Sequence, residues 1–483
     1  MTVLDRLGRQ LDDGLEAARD GVEQAFQQNL RIGVTGLARA GKTVFITSLL
    51  RNLLHRDRLA GLHAVAEGRI EAARLNPQPD LTLPRFPFET HLAMLAGDDP
   101  GRAQADDDAP AACWPPGTTN ISEIRLSLRY RPGSWLVRQF GETRTLHLDI
   151  VDYPGEWLLD LSLLRLDYAE WSARLLADAQ STDARPAASA FLAAMAQADP
   201  EAEATDAAAE ALAQPFRRYL QIRRESAGAP LAMTPGRFLL PGDLAGSPVL
   251  TFAPLPENAG GHSRRNSLRA LMARRYDGYR RQVVEPFLRE QFGRLNRQIV
   301  LVDTLSALAA GGTRLDQLSQ ALDEVLQVFR HGRPSWLSRL FAPRIDRIAF
   351  CATKADHVPD PLRPDLRRLT ENLCFGSSNR IRYEGAETAV FALAAIAATG
   401  EAWREVGGER RRCVAGPAEG HRGTTLFFPG AIPTDPAAPA ARTGFDGPVP
   451  RFLPPPGMVA AGRGLPHLNM DHMLQFLIGD ALT

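Results

Sequence analysis

The chain has 483 residues, of which 44% are hydrophobic and 23% charged, so it is long enough for several structural units with a sizeable buried core. Its 56 basic and 56 acidic residues cancel, which argues against a nucleic-acid-binding protein, and its four cysteines include no CxxC pair, which argues against a zinc site or a disulfide framework. It has no apolar run of membrane-spanning length and no apolar stretch typical of a signal peptide, so we expect a cytoplasmic protein without a transmembrane segment.

The first predicted element is an amphipathic helix over Met1–Gln28. Its leucines fall on one stripe, and it carries six acidic residues against three arginines, which disfavours an anionic membrane surface. We expect this helix to dock onto the core of the protein, although its stripe leaves peripheral membrane association open.

A short strand over Ile32–Thr35 then runs into a glycine-rich loop, Gly36–Thr43 (GLARAGKT), which matches GxxxxGK[ST] and precedes a helical pattern. Such a loop turns its backbone N–H groups toward a phosphate at a helix N-terminus. We predict that Lys42 reaches the β- and γ-phosphates and that the Thr43 hydroxyl ligates Mg²⁺. The predicted nucleotide-binding residues of this loop are Gly36, Ala38, Arg39, Ala40, Gly41, Lys42, Thr43 and Val44.

Lysine usage supports this interpretation. Only two of the 56 basic residues are lysines, Lys42 and Lys354, and all the others are arginines. A lysine retained against such a bias indicates a position where guanidinium cannot substitute, since the two groups differ in shape and donor geometry.

The next two predicted elements are a loop and a strand end that could approach the metal. A polar, acidic and proline-rich stretch over residues 97–116 precedes Gly117–Asn120, where Thr119 or its neighbour Thr118 is predicted to ligate Mg²⁺. A strand over Thr145–Val151 then ends in Asp152–Gly155 (DYPG), which matches the DxxG element of GTPases. There, Asp152 would hold Mg²⁺ through water, and the Gly155 N–H would contact the γ-phosphate. A strand-ending aspartate is common in α/β proteins, so the order of the motifs carries this assignment.

Glu156 follows DYPG directly, at the place where many GTPases carry a glutamine that orients the attacking water. A glutamate accepts a hydrogen bond from water but cannot donate one, so turnover should be slow unless a cation compensates its charge. Arg39 is the cation nearest in sequence, and Lys42, Glu156 and Arg39 are therefore the catalytic candidates. In the alternative interpretation, Arg39 and Glu156 face solvent and Glu156 only caps the next helix.

Helical patterns follow over Leu158–Ala177, Ala187–Ala198 and Ala204–Glu225, and a long arginine-rich helix is predicted over Arg264–Leu295. These arginines are interpreted as a solvated face with internal acidic partners, the alternative being a surface for acidic partners or RNA. An apolar stretch over Ser335–Arg344 is a possible contact patch for an unknown protein partner, as is the helical region itself.

The second lysine lies in Thr353–Asp356 (TKAD), directly after a strand predicted over Ile348–Ala352. This string resembles the guanine-specificity motif [NT]KxD, in which the carboxylate, here Asp356, accepts hydrogen bonds from N1–H and the 2-amino group of guanine. Adenine lacks both donors and would leave a buried carboxylate unpaired. Thr353, Lys354 and Asp356 are the predicted base-binding residues, and Ala392–Ala395 is the candidate loop for backing the base. Taken alone, the string is also compatible with an ordinary loop after a buried strand.

The chain resembles the YcjX-like family of bacterial P-loop GTPases. The resemblance is carried by Gly36–Thr43, Val151–Trp157 (VDYPGEW), Gln298–Gly312, Thr353–Asp356 and the C-terminal Pro466–Asp480. It implies a GTP/GDP- and Mg²⁺-binding, GTP-hydrolysing core with a helical insertion, in a bacterial stress-response or phage-shock setting. The alternatives are a nucleotide-binding scaffold with negligible turnover and an ATPase.

We therefore predict an α/β protein of the P-loop NTPase class, with a mostly parallel sheet flanked by helices and a large helical insertion. The predicted division is an N-terminal helix, a G domain in two parts, the insertion, and a small β element followed by a proline-rich linker and a helix near Leu474–Ile478. The corresponding ranges are 1–29, 30–156 with 298–400, 157–297 and 401–483.

Overall fold

A computed structural model describes most of the chain. The described residues are 27–36, 40–97, 112–133, 143–225, 234–257, 264–330, 345–375, 386–406, 408–445 and 447–483. The predicted N-terminal helix up to residue 26, Ala38 and Arg39 of the glycine loop, and the apolar stretch Ser335–Arg344 lie outside these residues.

A seven-stranded, mostly parallel sheet organises the fold, in the spatial order β2-β3-β4-β1-β5-β6-β7. Strands β4, β1, β5, β6 and β7 run parallel to one another, whereas β3 pairs antiparallel with both β4 and β2. The strands are β1 (Gln27–Gly36), β2 (Ile70–Asn76), β3 (Ser122–Tyr130), β4 (Arg144–Asp152), β5 (Arg297–Val302), β6 (Arg347–Ala352) and β7 (Glu387–Ala392). The predicted α/β class is confirmed, and the carboxyl ends of five parallel strands meet at one edge of the sheet.

Helices cover both faces of this sheet, which is why its central strands are buried along their length. On one face, Phe45, Leu49 and Leu53 pack with Leu474 and the alternate residues Ile32 and Val34 of β1. The other face packs against the helical segment between β4 and β5 and against the helices that follow β5 and β6. The helices outside the segment between β4 and β5 are α1 (Lys42–His55), α2 (His63–Ala66), α3 (Phe88–Ala96), α10 (Thr304–Ala309), α11 (Gly312–Arg330), α12 (Arg363–Phe375), α13 (Pro439–Thr443) and α14 (Met470–Ile478).

The segment between β4 and β5 is helical. Its helices are α4 (Glu156–Leu163), α5 (Tyr168–Gln180), α6 (Arg185–Gln197), α7 (Asp206–Glu225), α8 (Gly236–Leu239) and α9 (Leu268–Tyr279). Aromatic rings fill its centre, where Trp171 stacks on Tyr276 with 4.8 Å between ring centroids. We refer to residues 164–294, which follow helix α4, as the helical insertion.

Two helix predictions in this segment were wrong in their extent. The helix predicted over Leu158–Ala177 is divided, because Asp167 starts a new helix by a capping box with Glu170. The long arginine-rich helix is α-helical only over α9 and continues as π-helical turns over Arg280–Val284 and Phe287–Gln291, then as a 3₁₀ turn over Phe292–Arg294.

Several arginines of that stretch bond within the chain. Arg269 donates to the carbonyls of Leu255 and Pro256, and Arg280 donates to the carbonyl of Leu164. The predicted acidic partners are present for Arg275, which pairs with Asp206, and for Arg280, which pairs with Asp277, but most of the described acceptors are backbone carbonyls.

After β7, the chain forms a second, three-stranded antiparallel sheet in the order β10-β9-β8. Its strands are β8 (Gly400–Val406), β9 (Glu409–Pro417) and β10 (Thr424–Phe427). Gln27 and Gln28, predicted as the end of the N-terminal helix, belong to β1 instead. Apart from this boundary, the four-part domain division stays a prediction. Among the described residues, no helix is both long and apolar enough to cross a membrane.

Candidate functional site

The glycine loop connects β1 to α1 at the carboxyl edge of the sheet. Gly41 has a φ of 83°, a left-handed conformation that favours glycine, and it directly precedes Lys42, the first residue of α1. At Gly36, an added Cβ would lie 2.8 Å from the Leu301 carbonyl oxygen, so a side chain would collide with β5. Both glycines are therefore required by the backbone geometry, which leaves the first N–H groups of a 14-residue helix available to an anion.

Lys42 folds back over this loop. Its side chain is buried, and its ammonium group donates to the Gly36 carbonyl oxygen at 3.3 Å. A lysine held in this way brings a positive charge to the same helix end as the free N–H groups. Ala40 is buried beside it, and Val44 packs on the edge of a small apolar cluster with Leu95.

Three oxygen-bearing side chains meet next to Lys42. The Thr118 hydroxyl donates to Oδ2 of Asp152 at 2.6 Å and lies 3.4 Å from the Thr43 hydroxyl, which itself can donate to the Pro116 carbonyl at 2.9 Å. Because both hydroxyls have acceptors for their protons, each keeps lone pairs for a cation. Hydroxyl and carboxylate oxygens are the ligand types that suit Mg²⁺.

The Asp152 carboxylate is incomplete without a further partner. It is fully buried, and its Oδ1 accepts no hydrogen bond in the described part of the chain. Burial raises the pKa of this carboxyl to about 6, against the opposing effects of Lys42 and of the hydrogen bond from Thr118. A buried oxygen without a partner is costly, so this atom marks the place where a bound cation, or water on that cation, would fit.

The structure favours Thr118 over Thr119 as the metal-side threonine. Thr119 is exposed, whereas Thr118 contacts Asp152. Our candidate ligand set is accordingly Thr43, Thr118 and Asp152, and Thr119 is dropped from it.

Gly155, the predicted γ-phosphate contact, lines a small cavity together with Thr35 and Gly36 at the end of β1. Tyr153, two residues before Gly155, is buried and donates its hydroxyl to Gln298 at the start of β5. The DYPG loop is thus attached to the core of the sheet on one side and faces the glycine loop on the other.

The TKAD loop follows β6 at the same edge of the sheet. Asp356 is buried, and its Oδ2 accepts from the N–H of Ala398 at 2.9 Å, while its Oδ1 accepts no hydrogen bond from the described residues. The Thr353 N–H donates to the carbonyl of Val302, and the Ala355 N–H donates to the carbonyl of Leu393. The loop after β7 therefore supports TKAD, and the contact to the carboxylate comes from Ala398, whereas a role of Ala392–Ala395 in backing the base stays a prediction.

Lys354 has a partner that the sequence interpretation did not include. Its ammonium group lies 2.5 Å from Oδ2 of Asp303, which follows β5 and also caps helix α10. The sequence contained a signal for this pair, since Asp303 directly follows a buried apolar strand and Asp152 lies at the end of another. The pair holds the stem of Lys354 beside the base end of the site, with 34% of its side chain exposed.

The structure contradicts the alternative interpretation of Glu156, whereas its predicted role in orienting water stays a prediction. The side chain is only 4% exposed, which excludes the solvent-facing alternative, and it accepts a hydrogen bond from Arg224 of helix α7. It does not cap α4 with its side chain either. Arg39, predicted as its partner, lies outside the described residues, and Arg224 was missed because nothing distinguished it among the many arginines.

The helical insertion contacts helix α4, which directly follows the DYPG loop, and the loop that carries Thr118. The N–H of Gly236 donates to Asp160 of helix α4 at 2.6 Å, and the guanidinium of Arg237 lies 3.2 Å from the ring centroid of Trp157. On the other side, the N–H of Asp243 donates to the Asn120 side chain at 3.2 Å, two residues after Thr118.

The parallel sheet with a GxxxxGKT loop between β1 and α1 defines an α/β protein of the P-loop NTPase class. The sequence matches the model of the YcjX-like family, DUF463, over residues 30–482. "Ras-like GTPase YcjX" of Escherichia coli (strain K12) is 35% identical over 475 residues, which cover 95% of this chain and 97% of that protein. "Ras-like GTPase YcjX" of Shewanella oneidensis (strain MR-1) is 33% identical over 482 residues, with 95% and 96% covered. The chain belongs to the YcjX-like family, as its motifs predicted.

Proposed function

We propose that this protein is a Mg²⁺-dependent GTPase, which binds GTP and hydrolyses it to GDP and phosphate. The observation that carries the proposal is the cluster of Thr43, Thr118 and Asp152 beside Lys42, with the buried Asp152 Oδ1 left without a partner. The names of both relatives as Ras-like GTPases support the same reaction.

In this proposal, Gly36, Ala40, Gly41, Lys42 and Val44, with the loop residues Ala38 and Arg39, surround the phosphates. Lys42 neutralises charge on the β- and γ-phosphates, and Gly155 donates its N–H to the γ-phosphate. Thr43 and Thr118 would hold Mg²⁺ directly and Asp152 through water. The metal would supply charge neutralisation on the phosphate oxygens during transfer to water.

The base end supports guanine. The Asp356 carboxylate is buried and fixed by Ala398, with one oxygen accepting no hydrogen bond from the described residues. Guanine presents two adjacent donors to such a group, whereas adenine would leave it unpaired. Thr353 and Lys354 support this loop, and Lys354 would lie along the base.

Phosphate release from GTP and from ATP tests the reaction, measured on the full chain with Mg²⁺ and with EDTA. We expect phosphate release from GTP but not from ATP, and only in the presence of Mg²⁺. The Lys42→Ala variant should release no phosphate from either nucleotide. Binding of GTP without phosphate release would favour the nucleotide-binding scaffold, and equal release from ATP would favour an ATPase. Release from Lys42→Ala at the rate of the parent would refute the site.

Thr118→Ala and Thr119→Ala form a matched pair, since the two residues are adjacent and chemically identical. Removing the metal ligand should raise the Mg²⁺ concentration for half-maximal hydrolysis at least tenfold. We expect this shift in Thr118→Ala only. The same shift in Thr119→Ala alone would overturn the ligand set proposed here.

The proposals about the wider role of the protein rest on fewer observations. A switch-type change of the two loops and the helical insertion, a protein partner at that insertion and a role in a bacterial stress response stay predictions.

A further inference from the structure

The inference starts from the charge of Glu156, the residue after Gly155. Its carboxylate is 4% exposed at the start of helix α4, next to the loop that lies beside Thr35 and Gly36. If the nucleotide binds as proposed, this negative charge lies close to the γ-phosphate. An uncompensated carboxylate there would repel a triphosphate more strongly than a diphosphate, because the triphosphate brings additional negative charge to that end.

The compensating charge comes from the helical insertion. Arg224 lies near the end of helix α7 and donates to Oε1 of Glu156, with 26% of its own side chain exposed. Its partner is 68 residues away in sequence, so the contact depends on how the insertion packs on the sheet.

The neighbouring arginine shows that this contact is specific. Arg223 is directed into the insertion, where it pairs with Asp178 at 3.1 Å, and Tyr219 donates its hydroxyl to the same carboxylate. These contacts anchor the last turns of α7 within the insertion, and Arg224 is the member of the arginine pair that contacts Glu156.

We propose that Arg224 is a positioning residue that acts through Glu156 and sets the preference of the site for GTP over GDP. This inference rests on the proposed function. By neutralising Glu156, Arg224 removes a repulsion that acts selectively on the γ-phosphate, and it fixes the carboxylate at one place beside the DYPG loop. The insertion thereby contributes to nucleotide selection without touching the nucleotide.

The test is calorimetric binding of GDP and of a non-hydrolysable GTP analogue to the full chain with Mg²⁺. The variants are Arg224→Ala, Glu156→Gln and the double variant, and Arg223→Ala is the control from the same helix. Arg224→Ala should weaken binding of the GTP analogue by about tenfold and that of GDP by less than about threefold, since a single charge is left uncompensated near the additional phosphate.

The double variant distinguishes charge compensation from loss of structure. Removing the carboxylate as well should restore binding of the GTP analogue to within about threefold of the parent, because no repelling charge remains. Arg223→Ala should leave the ratio of the two affinities unchanged, even where it lowers stability. Should Arg224→Ala fail to fold, Arg224→Gln removes the same charge and retains a hydrogen-bond donor to Glu156.

Three results would overturn the inference: equal weakening of both nucleotides, no weakening by Arg224→Ala, or no restoration in the double variant. Failure of the proposed function looks different. In that case, the parent itself would bind neither nucleotide, or would bind them no better than Lys42→Ala.

Discussion

Gly236 lies where the helical insertion approaches helix α4 most closely. A Cβ built on it would lie 2.7 Å from the carbonyl carbon of Glu156, closer still to its oxygen, and 3.2 Å from Oδ2 of Asp160. Carbon atoms in contact prefer about 3.5–4.0 Å, so Gly236→Ala requires a retreat of roughly 1 Å. The atoms in the way belong to the backbone, which cannot move aside as the end of a flexible side chain can.

The free-energy cost of this substitution has two sources. Overpacking in a buried place costs about 1–3 kcal/mol. The retreat also lengthens the hydrogen bond from the Gly236 N–H to Asp160, now 2.6 Å, and weakening a bond to a fully buried carboxyl costs a further 1–3 kcal/mol, roughly. The two costs depend on the same movement, which relieves the overpacking as it weakens the hydrogen bond, so we expect a loss of about 3 kcal/mol in the free energy of unfolding rather than their full sum.

Urea unfolding followed by tryptophan fluorescence measures this loss, because Trp157 and Trp171 are buried in the region concerned. Gly278→Ala is the matched control. It lies within helix α9, where the nearest atom to its Cβ would be a Val249 methyl at 3.8 Å, so alanine should stabilise by about 0.5–1 kcal/mol. A Gly236→Ala variant as stable as the parent would refute the close approach, and so would equal effects of the two substitutions.

Two further predictions concern buried carboxyls. Burial raises the pKa of Asp160 to about 7, so the folded protein keeps a proton that the unfolded chain releases near pH 4, and this contribution to stability is lost as the pH rises through 7. Between pH 5 and pH 7, the free energy of unfolding of the parent should therefore fall by about 2 kcal/mol relative to that of Asp160→Asn. A difference between the two proteins that does not change with pH would contradict protonation of Asp160 in the folded state. At the base end, Asp356→Asn should weaken GTP binding by about 2 kcal/mol or more, since it places a donor against the donors of guanine. Xanthosine triphosphate, with a 2-oxo group, should bind this variant better than GTP does, and equal affinity of the parent for ATP and GTP by calorimetry would argue against guanine recognition.

The parts of the site that the sequence predicted are those carried by contiguous residues. The glycine loop and the DYPG and TKAD elements each consist of a buried strand followed by a short polar loop, and parallel pairing then brings the strand ends together without further information. Helix limits were less accurate where a local signal was overlooked. The capping box of Asp167 and Glu170 was visible in the sequence and would have divided the helix predicted over Leu158–Ala177.

The contacts that sequence could not supply are of two kinds. Thr118 and Thr119 differ only in the direction that the loop backbone gives them, which no residue type specifies. Arg224 is one of many arginines in a chain with only two lysines, so its type carried no information, and its contact with Glu156 depends on the packing of the whole insertion. The pair of Lys354 and Asp303 lies between these cases, because both residues closely follow buried apolar strands, a pattern that is visible in the sequence.

The insertion contacts the site on two sides through one short segment, residues 236–243. Gly236 is bonded to Asp160 on helix α4, and Asp243 is bonded to Asn120, two residues beyond Thr118. Only six residues separate the two contacts, and Arg237 between them lies against Trp157. The segment therefore has little freedom to move independently of its two contacts. A shift of the Thr118 loop or of helix α4 must therefore either be passed on to this segment or break one of these contacts. Because packed interiors respond in discrete steps rather than by continuous deformation, such an arrangement favours joint movement of the Thr118 loop and helix α4.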